Sequence, residues 1–141
     1  MTSTTIARVS IARTIVILAL ASIVAIALNA VVAFLAVQAG ASSSYAPLTL
    51  PVFAAFTVIG VVVGWIGWRI VQRRAANPSR VLAVLVPAVV VASLVPNVVL
   101  LVTEFIPGTN AAAVWALMAM HVIVAGVGVI GYVLASRTAE A

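Results

Sequence analysis

Four long apolar runs, separated by short polar intervals, set the rhythm of this chain. They cover about 14–37, 51–71, 81–102 and 111–135. Apolar runs longer than about 18 residues indicate helices that cross a bilayer. Runs of this length rise by ~1.5 Å per residue in a helix and so traverse a ~30 Å hydrocarbon layer. The pattern predicts an all-α fold: a four-transmembrane-helix bundle, antiparallel and up-down, forming one membrane domain over 1–141.

The polar intervals differ in kind. The first, "QAGASSSYAPLTL", is small and uncharged, and Pro47 and Pro51 frame the entry to span two. The second, "QRRAANPSR", is short, which favours antiparallel neighbours. Within it Asn77 or Ser79 can cap a helix, and Pro78 suits a first helical turn. The third carries Glu104, Pro107, Gly108 and Asn110. Trp65, Trp68 and Tyr132 fall toward the end shared by the termini, and Tyr45, Phe105 and Trp115 toward the other, as expected of an interfacial aromatic belt. Small residues mark the expected helix contacts: Ala21, Ala25, Asn29 and Ala33 on span one; Gly60, Gly64 and Gly67 on span two; Ala125 and Gly128 with Tyr132 on span four.

Composition agrees with this picture: 66% of residues are hydrophobic and 6% charged, with mean hydropathy +1.38. The chain has no cysteine, which excludes disulfides, thiol redox chemistry and thiolate metal sites. The net charge of +5 does not point to nucleic acid, because the arginines lie on three segments only. They are Arg8 and Arg13 before span one, Arg69, Arg73, Arg74 and Arg80 around the second connection, and Arg137 after span four. Basic residues collect on cytoplasmic segments, so both termini and the middle connection are expected on the cytoplasmic side of the cell membrane. There Arg69, Arg73, Arg74 and Arg80 would meet anionic lipid headgroups. Ala39-Gly40-Ala41 resembles a signal-peptidase site. However, the apolar run before it exceeds the roughly 7–15 residues of a signal h-region, and a retained helix is expected.

Polar residues inside the spans are few, and so each is a candidate. Counted from the outer ends at ~1.5 Å per residue, Asn29 lies roughly 12 Å deep, Ser93 roughly 14 Å, Asn97 roughly 8 Å and His121 roughly 15 Å. Ser93, Asn97, Leu100 and Glu104 share one face of span three. Pro96 and Pro87 free the carbonyls of Ala92 and Ala83, and His121 or Asn29 is expected to supply a donor to span three. His121 is the chain's one histidine. Its bland role is a neutral strut between helices; its functional roles are ligand binding and proton transfer. A metal or haem site would want more donors than this face provides. Glu104 is expected as a solvated carboxylate at the outer end, with an outer gate as the alternative. No nucleophile–base pair, carboxylate dyad or phosphate loop is present, so no enzyme, catalytic residue, metal or cofactor is expected.

Span two with its following connection and span three, together with "AVWALMAMHVIVAGVGVIGYVLASR", resembles a family of small four-helix membrane proteins, common in actinobacteria, classed as a domain of unknown function. The marks of resemblance are Gly64-Trp65 or Gly67-Trp68, the arginine-bearing connection, Ser93-Leu94 with Pro96, and Met120-His121. The resemblance implies a four-helix membrane fold and a shared importance for Pro96 and His121, and no activity. Small multidrug exporters fit less well, since they depend on an acid in span one where this chain offers Asn29. Claudin-like proteins carry a large cysteine-containing first outer segment, which is absent here.

Two functions are therefore expected of this sequence. The first is a non-enzymatic accessory or interaction protein of the cytoplasmic membrane, with a membrane-protein partner or a second copy of itself. The alternative is a binder or transporter of a small lipophilic molecule. Its pocket would lie between spans one, three and four and be lined by Asn29, Ser93, Asn97, Met118 and His121, beside Pro96.

Overall fold

A computed structural model describes residues 3–137, with side chains described from Ile11 onward. The Arg8 side chain, weighed above, lies outside that range. Four helices follow in order: α1 Ser3–Gln38, α2 Leu50–Arg74, α3 Pro78–Thr103 and α4 Ala111–Arg137, with a single 3-10 turn at Ala46–Leu48 before α2. All four are long and apolar enough to cross a bilayer. Helices α2, α3 and α4 run a few residues beyond their apolar runs, and α1 begins eleven residues before its own, because helix capping rather than hydropathy sets where the backbone stops.

The caps are local and specific. At the end of α1, Ala41 N–H bonds to the Ala36 carbonyl and Gly40 N–H to that of Val37, while Gly40 takes φ +102°. This is a Schellman cap, which needs a left-handed residue at that position. The small Ala39-Gly40-Ala41 stretch is therefore a helix terminator here. Asn77 caps α3, its side-chain oxygen accepting from Arg80 N–H at 3.2 Å, with Pro78 in the first turn. Asn110 caps α4 by accepting from Ala113 N–H at 2.9 Å, and its amide also donates to the Gly40 carbonyl at 2.8 Å. One side chain thus ties the end of α1 to the start of α4.

The tightest seam joins α1 and α4, the two helices furthest apart in sequence. Small residues explain it. Ala21, Ala25, Asn29, Ala33 and Ala36 of α1 are buried, and a Cβ placed on Gly131 of α4 would come within 3.1 Å of the Ala21 Cβ. Without a hydrophobic drive between helices in lipid, such backbone approach supplies the dispersion contacts. By contrast α2 and α3, joined by the shortest connection, touch each other least among the adjacent pairs. The two helices are neighbours, as the short connection led one to expect, and a cleft opens between them.

Most of the molecule's outer surface is apolar. Ile15, Leu20, Ile23, Phe34, Ile59, Val63, Val84, Val91 and Ile130 are all exposed. Water would not tolerate such a surface, whereas hydrocarbon does. The buried interior is small-sided, gathered around Tyr45, Phe53, Leu100, Ala113, Ala116 and Met120 at the end near Asn110.

Candidate functional site

A cleft of about 810 Å³ runs between α2, α3 and α4. That size falls in the usual range for small-molecule sites. Along α2 it reaches from Val52 to Trp68, roughly 24 Å at ~1.5 Å rise per residue. Its walls are Val, Leu and Phe, broken by a few polar groups. Phe56, Val63, Leu85 and Val89 line it and are also exposed, so the cleft opens sideways between α2 and α3.

Glycines on α2 make the room. Gly60 and Gly67 face the cleft; a Cβ on Gly60 would meet Val124 at 3.5 Å, and one on Gly67 would meet nothing within 4 Å. Gly64 plays a different part, since a Cβ there would collide with the Tyr132 hydroxyl. That hydroxyl donates to the Val61 carbonyl at 2.8 Å. The Tyr132 ring lies 5.8 Å from Trp65 and 5.7 Å from Trp68, tilted to both. Trp68 Nε1 donates to Ser136 Oγ at 3.1 Å, and Gln72 Nε2 donates to the same oxygen at 3.1 Å. Arg69 stacks over Trp65 at 5.5 Å and donates to Gln72 Oε1 at 3.2 Å. This plug closes one end of the cleft. Gln72 and Ser136 were missed by sequence reasoning, since polar residues in the last turn of an apolar helix look like ordinary interfacial positions.

Two aromatic assignments need correction. Tyr132 and Tyr45 are buried, not members of an interfacial belt. Tyr132 turns inward because Gly64 and Gly128 leave its ring a slot. Tyr45 is held under the loops, where Thr109 Oγ1 donates to its hydroxyl at 3.3 Å. Phe105 and Trp115 are exposed.

Of the polar residues singled out in the sequence, Asn29, Ser93, Asn97 and His121 line the cleft together with Pro96. Met118 does not; Met120 does. The cleft-facing positions shift round α4, from Leu117, Met120, His121 and Val124 to Ala125, Val129 and Tyr132. The cleft therefore crosses α4 obliquely, and at the level of Met118 it lies on the other side of the helix. The site also sits between α2, α3 and α4, with α1 contributing Asn29 alone. Expecting spans one, three and four overlooked the space that Gly60 and Gly67 leave along α2.

The expected bonds to span three are also corrected. Asn29 Nδ2 donates to Thr57 Oγ1 of α2 at 3.1 Å. His121 Nδ1 bonds to the Leu117 carbonyl of its own helix at 2.7 Å. A helical side chain four residues along reaches its own backbone more easily than a neighbour across an open cleft. Since a carbonyl only accepts, Nδ1 carries the proton, and in the neutral imidazole Nε2 is left as an acceptor. Ser93 bonds back to the Val90 carbonyl at 2.7 Å. Thr57 is buried and pairs with Asn29, a role no pattern in span two announced.

Among the described residues, two buried side-chain polar atoms have no partner: Asn29 Oδ1 and Asn97 Nδ2. One is an acceptor and the other a donor, and both residues line the cleft. Glu104 is exposed, off the face that carries Asn97 and Leu100, with a left-handed backbone at φ 50° that ends α3. The side chains of Arg73, Arg74 and Arg80 are exposed and that of Arg69 half-buried.

No curated protein and no solved structure matches the chain. The model of one family does match, over residues 8–139. Since that match takes in every helix described above, the chain belongs to DUF6069, a family of unknown function.

Proposed function

We propose that this protein is a multi-pass protein of the cytoplasmic membrane that holds a small lipophilic molecule in the cleft between α2, α3 and α4 without transforming it. One observation carries the reading: an apolar cleft of about 810 Å³ with Asn29, Ser93, Asn97 and His121 on its wall. Apolar walls with a few placed polar groups are how small-molecule sites are built. The sideways opening supports entry from the lipid phase. Holding rather than converting follows from the sequence, which offers no nucleophile–base pair or carboxylate dyad. Retention of this kind suits an accessory role beside another membrane protein, or beside a second copy of the chain, using the exposed apolar faces.

The arginine distribution supports a topology with both termini and the α2–α3 connection in the cytoplasm. Arg69, Arg73, Arg74 and Arg80 then meet anionic headgroups.

Photocrosslinking tests the reading. The protein in phosphatidylcholine nanodiscs is irradiated with a diazirine-bearing alkane, and the adducts are mapped by mass spectrometry. Adducts concentrated on cleft residues such as Val86, Val90 and Val124 are expected. Labelling spread equally over outward residues such as Leu20 and Val24 would overturn it.

A further inference from the structure

The cleft's unpaired atoms specify what its occupant carries. Asn29 is 1% exposed and Asn97 6% exposed, yet Asn29 Oδ1 and Asn97 Nδ2 bond to nothing in the protein. A buried amide atom left without a partner costs more than any ordinary hydrogen bond contributes, and hydrocarbon offers no water to make up the loss. Both residues line the same cleft. We infer that the occupant is a neutral lipid bearing a free hydroxyl, whose head offers a donor to Asn29 on α1 and an acceptor to Asn97 on α3. This inference rests on the proposed lipophile binding and adds the chemistry of the head group.

Other head groups fit less well. A ketone, quinone or ether accepts but cannot donate, so Asn29 Oδ1 would stay unpaired. A carboxylate or phosphate would be buried without a counter-charge, because no arginine lines the cleft. A hydroxyl offers one donor and two acceptor sites on a single atom. His121 Nε2, free once Nδ1 is bonded to Leu117, adds a second acceptor from α4. A diol or a glycerol-type head therefore satisfies the site as well as a simple alcohol.

Binding of two radiolabelled probes, 1-hexadecanol and hexadecyl methyl ether, to the full chain in phosphatidylcholine nanodiscs tests this. The ether carries a methyl group in place of the hydroxyl hydrogen and so lacks the donor. The wild type is expected to bind the alcohol about tenfold more tightly than the ether. Asn97→Leu removes a side chain that makes no bond in the protein, so it is expected to keep its fold. It should weaken alcohol binding about tenfold, and Asn29→Leu should erase the preference for alcohol over ether. Equal affinity for alcohol and ether in the wild type overturns the head-group inference while leaving lipophile binding intact. Saturable binding of neither probe overturns both. The wild-type comparison needs no variant and decides the question even where a substitution impairs folding.

Discussion

Tyr132 donates its hydroxyl proton to the Val61 carbonyl while its ring contacts both Trp65 and Trp68, so the ring cannot swing away from α2. Gly64→Ala is therefore expected to destabilise the bundle by about 1–3 kcal/mol, the usual cost of overpacking. Gly67→Ala, one turn further on and facing open space, is expected to stabilise by about 0.5–1 kcal/mol, because alanine loses less backbone freedom in a helix. Thermal unfolding in a mild detergent reads both. Tyr132→Phe removes the atom nearest the new methyl group, so the double variant with Gly64→Ala should lose less than the sum of the two single losses. His121→Ala should leave the melting point nearly unchanged, since the ring's described bond is to its own helix. It should also weaken lipophile retention in the same preparations. At this scale the sequence was informative about which residues matter and poor about what they touch. Asn29, Asn97 and His121 stood out because polar atoms are rare in the spans. Their partners did not, because Thr57 and Leu117 carry no distinguishing pattern.

Between elements, the contrast of seams explains the cleft. The α1–α4 seam is closed by alanines and Gly131, whereas α2 and α3, linked by Ala75–Asn77, touch least among the sequence-adjacent α-helices. Gly131→Leu is expected to cost several kcal/mol, as a large side chain would have to displace the α1 backbone. Asn77→Ala, which removes the cap of α3, is expected to cost about 1 kcal/mol. Pro87 and Pro96 lie inside α3 and leave it with fewer internal bonds than its neighbours, which suits the loosest wall of the cleft. Helix number was legible in hydropathy and the cap of α3 in the Asn77-Pro78 signal, whereas the start of α1 and the caps at Gly40 and Asn110 were not. The seams were not, because alanine and glycine are so common here that their spacing alone does not say which neighbour they meet. Tyr45 and Tyr132 misled for a related reason: a tyrosine near a span end fits an interfacial belt until the glycine slot beside it is known.

The whole molecule presents apolar side chains outward and gathers its described arginines at the start of α1, across the α2–α3 connection and at the end of α4. The absence of cysteine makes its orientation directly testable. Ser43→Cys in the first connection should react with a membrane-impermeant maleimide in intact cells, and Ala76→Cys in the second only after permeabilisation. The reverse pattern would contradict the proposed topology. The central claim is that the cleft holds a lipophile, and Gly67→Phe addresses it most directly. The new ring would enter the cleft from a position where a Cβ meets no other atom, and losing a helical glycine favours folding. The decisive measurement is native mass spectrometry of the wild type and Gly67→Phe released from nanodiscs side by side. A lipophilic molecule retained at one per chain in the wild type and lost from the folded variant is the expected result. Equal retention by both, or by neither, would contradict the account.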